Sequence, residues 1–335
     1  MRVNRTLLLK IANDTVIERT YSDRSILAVY LTGSLLEEEP LIGKATDIDL
    51  VFVHMDTPKV EREIKRLSEQ IHLDIVHHDR DLYKQARLLR QHPWLGPTIF
   101  RCQILFDPQH FMDFTQASVR SQFDYPENVL ERSRQELEQA RGIWMNLSLN
   151  AEEPNPQAIA RYLGAVEHIA NAIASLSGAP LTERRFLLHF QERAEAAGQT
   201  GLYIGLLGLL GAIDLDKDQI RSWLTTWSAA FNAASGTSQP PIYLHPDRYG
   251  YYYEAMSTFI DSLQPIVALW PLLLTWTEAI VTLLREQAPF AETHRQHWEK
   301  ACQRLGLISV AFEQRLTALD AYLDTTEELL EKWGH

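Results

Sequence analysis

At 335 residues with 45% apolar content, the chain is long enough to bury two substantial cores and fits a soluble protein of two domains. Its two cysteines, Cys102 and Cys302, lie far apart, which excludes a disulfide framework or a CxxC metal site and suits a reducing cytoplasm. The formal net charge of −12 weighs against a polyanionic acceptor such as DNA or tRNA.

The first segment, MRVNRTLLLKIANDTVIERT, carries charge at both ends of a short apolar patch and has no small-residue cleavage site. It reads as an amphipathic helix and not as a signal peptide. The apolar run Ile26 to Leu31 predicts a buried strand over 26–32 that ends at Gly33. A glycine there lets the backbone turn sharply and leaves no Cβ to block a phosphate. Ser34 then stands where a helix would begin, adding a hydroxyl to N–H groups suited to anions.

A second strand is predicted over 46–54, where alternation places Asp47 and Asp49 on one face and turns Ile48 and Leu50 to the other. A charged helix is expected around 58–70, followed by a strand over 71–77 that carries Asp74 inside an apolar segment. If that strand pairs beside the second, a third carboxylate joins the first two. Buried aspartates without a cation are costly, so the three together point to a hard metal ion. A helix around 80–91 and a strand near 99–106 follow, and Asp107-Pro108 stops the strand before a short helix reaching Gln122. The layout is α/β on a mixed sheet.

This order of a Gly-Ser turn, a spacer, an Asp-x-Asp strand and a later acidic strand residue resembles the DNA polymerase β-type nucleotidyltransferase superfamily. The resemblance covers about the first third of the chain. It implies that Asp47, Asp49 and Asp74 bind Mg²⁺ in a two-ion site and that Asp74 helps to activate the acceptor hydroxyl. It also implies that Gly33 and Ser34 contact the β and γ phosphates of a nucleoside triphosphate, ATP being the expected one.

Other polar residues near this pattern have ordinary readings. Lys44 in the spacer could offset triphosphate charge but reads more simply as a solvated loop lysine, and Glu37, Glu38 and Glu39 are expected to point outward. Adjacent His77 and His78 fall on opposite strand faces, which disfavours a transition-metal site with Asp79. Arg101 reads as a salt-bridged arginine of the last strand.

Beyond residue 122, strand signals almost vanish. Helix-like spacing covers 127–149, 156–177, 181–197, 216–234, 250–284, 286–305 and 307–333, so residues 123–335 are expected to form an all-α helical bundle that binds the acceptor. The irregular stretch Ser235 to Gly250 is a candidate wall of a substrate cleft. The glycines at 201, 205, 208 and 211 suit close helix packing or a loop and lack the Gly-Lys-Ser/Thr ending of a P-loop. The apolar stretch Leu263 to Leu284 contains Gln264, Pro265, Pro271 and Glu278, which suits a buried kinked helix or helix pair over a membrane span.

Residues 1–122 hold 16 Lys+Arg against 17 Asp+Glu, and the remainder holds 16 against 27. The acidity therefore belongs to the helical part, which would attract a polycationic small molecule. An α/β nucleotidyltransferase domain followed by helices is similar to aminoglycoside nucleotidyltransferases of the kanamycin type. That similarity implies a general-base carboxylate on the helical part, for which Glu167 is the candidate. The expected function is transfer of AMP from ATP to a hydroxyl of a small acceptor, releasing pyrophosphate, in a chain whose oligomeric state is open. The alternatives are transfer to a protein partner in a toxin–antitoxin-like system, or a nucleotide-binding protein without catalysis. Arg184 with His189, and Arg161 with His168, approximate the arginine–histidine spacing of HEPN ribonucleases.

Overall fold

The computed structural model describes residues 3–149 and 154–333. The chain divides into two compact units, Met1–Asn128 and Val129–His335. The boundary falls later than 122 because Phe123 stacks on Phe100 at 4.2 Å and the Asn128 amide donates to the Gln122 carbonyl at 2.7 Å.

The first unit opens with α1 (Arg5–Ser22), whose N-cap Asn4 accepts from the Leu7 N–H. Five strands follow: β1 (Ile26–Thr32), β2 (Thr46–His54), β3 (Arg62–Arg66), β4 (Ile71–Asp79) and, after helices α2 (Ala86–Gln91) and α3 (Leu95–Arg101), β5 (Gln103–Phe106). Helix α4 (Phe111–Arg120) completes the unit. The sheet order is β3-β4-β2-β1-β5, with β2 and β4 parallel and the other pairs antiparallel.

Both faces of this sheet are covered, which is why its central strands are nearly continuous apolar runs. On one face Leu8, Ala12 and Val16 of α1 pack on Val29, Leu31, Ile48, Leu50, Phe52, Leu73 and Ile75. On the other, Ala28, Tyr30, Val51 and Val53 pack with Tyr83, Leu89, Ile99, Met112 and Val119. Asp47 and Asp49 share the parity of Val51 and Val53, so they belong to the second face, at the opening end of β2.

Two expected elements differ. Residues 58–70 do not form a helix; their centre is the edge strand β3. Val60, Ile64 and Leu67 have helical spacing, but pairing of Ile64 with Asp74 across β3 and β4 prevails over that local pattern. The strand expected near 99–106 is helical through Arg101 and extended only from Gln103. An apolar run of that length does not distinguish the two by periodicity. The helix expected around 80–91 is a one-turn 3₁₀ segment, Arg80–Tyr83, followed by α2.

Among its described residues the second unit has helices and no strands. Its helices are α5 (Pro126–Leu149, beginning at the boundary), α6 (Pro156–Ala174), α7 (Phe186–Ala196), α8 (Gly201–Leu209) and α9 (Lys217–Ser235). They continue as α10 (Tyr249–Ile260), α11 (Leu269–Arg285), α12 (Ala291–Leu305) and α13 (Val310–Trp333). Trp227, Trp270, Trp276 and Trp298 are fully buried in it. The segment expected as helix over 250–284 is interrupted between Ile260 and Leu269, and Pro271 sits in the first turn of α11, where its missing N–H costs nothing. Pro265–Arg285 is apolar and long enough to span a membrane, but 78% of its most apolar window is buried within the protein. The glycine-rich piece is α8, and Ser235 to Gly250 holds two 3₁₀ turns before the buried Tyr251 and Tyr252.

Candidate functional site

The strand pairing brings the sequence-predicted residues to one end of the sheet. Thr32 pairs with Asp49 across β1 and β2, and the chain then turns at Gly33 with φ of +73°. A Cβ on residue 33 would stand only 1.8 Å from Asp49 Oδ2. The Asp49 carboxylate therefore occupies a cradle that exists because residue 33 is glycine. Ser34 follows in a single 3₁₀ turn, Gly33–Leu36, and not in the longer helix expected, so no helix macrodipole acts there. The Ser34 hydroxyl lies 3.1 Å from that of Thr46, which also donates to the Pro40 carbonyl at 3.1 Å.

In the parallel pair, Asp49 stands beside Asp74 and Asp47 beside His72. Asp47 is 6% exposed and Asp74 1% exposed, whereas Asp49 is partly open to solvent. Asp74 is held by a fork: Arg62 donates from Nε to Oδ1 at 2.7 Å and from Nη2 to Oδ2 at 2.6 Å. Paired residues across β3 and β4 share a face, so Arg62 and Arg66, opposite Val76 and His72, both lie on the acidic face. Neither arginine is among the residues expected from the sequence, where the helical spacing of Val60, Ile64 and Leu67 hides the strand.

Asp47 and Asp49, two apart on a strand beside the Gly33-Ser34 turn, fit a hard divalent cation by donor type and by the cradle that seats Asp49. Asp74 completes a trio by register, but both its oxygens are engaged by Arg62. Among the described residues, no group of three or more His, Cys, Asp or Glu side chains is arranged to hold a metal. The expected three-carboxylate site thus requires Arg62 to yield.

The neighbouring residues fall as follows. Lys44 and Glu37, Glu38 and Glu39 are exposed, and Arg101 pairs with Glu37 from α3, not from a strand. His77 meets His54 at 2.9 Å and Glu63 at 2.9 Å on the α1 face. His78 meets the Tyr83 hydroxyl at 2.6 Å on the opposite face, and Tyr83 meets Tyr30 at 2.9 Å. Burial, with the nearby His77, pushes His78 down to about 4, so it is a neutral hydrogen-bonding group near neutrality.

In the helical unit, Glu167 on α6 is half-buried, and burial pushes its carboxyl up to about 7. His168 opposes that shift, while Glu183 and Glu136 add to it. His168 donates from Nδ1 to the buried Glu136 carboxylate at 2.8 Å, which raises its pKa. Glu183 receives the Tyr252 hydroxyl at 2.8 Å and the Arg248 guanidinium at 3.2 Å. Of the arginine–histidine pairs, Arg184 is buried with its guanidinium 3.3 Å from the centre of the Tyr251 ring, whereas His189 is half-exposed and faces Glu192. Arg161 bonds Asn146 while His168 bonds Glu136.

No protein-family model matches the chain, and no curated protein matches it significantly.

Proposed function

We propose that the chain is a nucleotidyltransferase that moves AMP from ATP to a hydroxyl of a small acceptor. The observation that carries this reading is the Asp49 carboxylate seated against Gly33, abreast of Asp74 in the parallel pair. Asp47 and Asp49 would hold magnesium, which offsets triphosphate charge and makes an acceptor hydroxyl more acidic. The Gly33-Ser34 turn would contact the β and γ phosphates, the Ser34 hydroxyl donating to them by turning from Thr46. Asp74, once released from Arg62, receives the acceptor proton as the new O–P bond forms and the bond to pyrophosphate breaks. The helical unit, with its acidic excess, takes the acceptor.

Thermal stabilisation by each nucleoside triphosphate with Mg²⁺ tests the reading. At a hundredfold excess over Kd, binding to the folded state adds about 2.7 kcal/mol, an effect large enough to see. The stabilisation is expected with ATP and is expected to vanish in Asp47→Ala, Asp49→Ala; no shift with any triphosphate would reject the site. Asp49→Ala alone should abolish turnover with the fold intact. The fork on Asp74 also favours a second reading, nucleotide binding without turnover, and unconsumed ATP across a broad acceptor panel would select it.

A further inference from the structure

The Arg62 fork commits both oxygens of Asp74, so a cation or hydroxyl that reaches this carboxylate meets a guanidinium already in place. The two partners differ in freedom. Asp74 is 1% exposed and fixed in the sheet interior, whereas the Arg62 side chain is 36% exposed and rises from an edge strand. The strand itself is anchored from its other face, where Glu63 accepts from Arg19 at 2.8 Å and meets His77 at 2.9 Å. Arg62 can therefore swing by side-chain rotation while β3 stays in register. A guanidinium fork matches phosphate as well as carboxylate, so an arriving triphosphate offers it an equivalent partner.

We infer that Arg62 and a divalent cation compete for Asp74, and that Arg62 passes from this carboxylate to the phosphates of the bound nucleotide, coupling nucleotide binding to release of Asp74. This rests on the nucleotidyltransferase reading. Arg62 is then a positioning residue whose removal has opposite effects on the two ligands. Deleting its charge removes the fork and its repulsion of a cation at Asp74, and deprives the triphosphate of a partner.

The test uses the full chain with Mn²⁺ alone, followed by electron paramagnetic resonance, and separately measures MgATP affinity by calorimetry. Arg62→Gln and Arg62→Ala are compared with the native protein, each also in an Asp74→Asn background. Glutamine keeps a neutral donor for Asp74 and covers the case in which the alanine variant fails to fold. Removal of one nearby, partly screened charge is expected to tighten Mn²⁺ on the order of tenfold and to weaken MgATP on the order of tenfold. In the Asp74→Asn background the Mn²⁺ effect should disappear. A purely structural arginine would leave Mn²⁺ affinity unchanged or lower it, and that result in the folded glutamine variant overturns the exchange. If MgATP binds the native chain while Mn²⁺ affinity ignores Arg62, the exchange fails alone. If Mn²⁺ binding ignores Asp47→Ala, Asp49→Ala, the metal assignment fails with it.

Discussion

A methyl group on residue 33 would stand 1.8 Å from Asp49 Oδ2, and the φ of +73° at that position already disfavours a side chain. Gly33→Ala must therefore strain the turn and push the carboxylate out of its cradle. The expected cost is about 1–3 kcal/mol of stability, read by urea unfolding, together with loss of the ATP-dependent thermal shift. A shift retained at full size would show that Asp49 need not sit there. Glu167 gives a second residue-scale prediction, for pH dependence. Burial raises its carboxyl from the ordinary 4.5 to about 7, so between these values the folded chain holds more protons than the unfolded one. Stability from this group is complete below 4.5 and is lost as pH rises through about 7. His168, also raised, adds a loss of the same sign above its ordinary 6.5. Glu167→Gln should flatten the decline in unfolding free energy across that window by roughly 2 kcal/mol; an unchanged slope would mean that another group titrates.

Packing between elements separates two glycines that look alike in sequence. A Cβ on Gly205 of α8 would meet the Tyr322 ring of α13 at 2.8 Å, and the Tyr322 hydroxyl also donates to the Leu202 carbonyl. At Gly208 the nearest atom is a flexible Ile213 methyl at 3.7 Å, an ordinary contact. Gly205→Ala is expected to cost about 1–3 kcal/mol by overpacking, while Gly208→Ala should stabilise by up to about 1 kcal/mol through helix propensity. Thermal unfolding of the two variants decides, and equal effects would refute close packing at Gly205. Sequence analysis reached helix packing as one reading of these glycines because their spacing is local information. It also placed β1, β2, β4 and the two aspartates of β2, since buried strands declare themselves as apolar runs with acidic interruptions. It lost β3, whose single inward apolar residue, Ile64, gives no alternation to detect and whose strand character comes from β4. With β3 went Arg62, the residue that engages Asp74. Asp74 was legible from its apolar surroundings, but its partner was legible only from register.

Charge acts on the scale of the whole chain. The excess of acid lies beyond residue 122, where 27 Asp+Glu face 16 Lys+Arg, while the preceding residues are nearly balanced. Some of that acidity is already satisfied internally: Arg141 of α5 reaches Asp320, Asp324 and Glu327 of α13 at 2.6, 2.7 and 2.8 Å. Such exposed pairs add little stability each, and they leave the net field of the helical unit negative. A negative field raises the local concentration of cations and repels the phosphate backbone of nucleic acids. A small polyamine such as spermine is therefore expected to stabilise the chain thermally, and duplex DNA is not. Because the attraction is largely between solvated charges, the polyamine effect should shrink as salt rises from about 0.05 M to about 0.5 M and the Debye length contracts to a few ångströms. A gain that ignores salt would indicate recognition at a buried site shielded from solvent ions. Stabilisation by DNA and none by spermine would mean that a local basic surface outweighs the average.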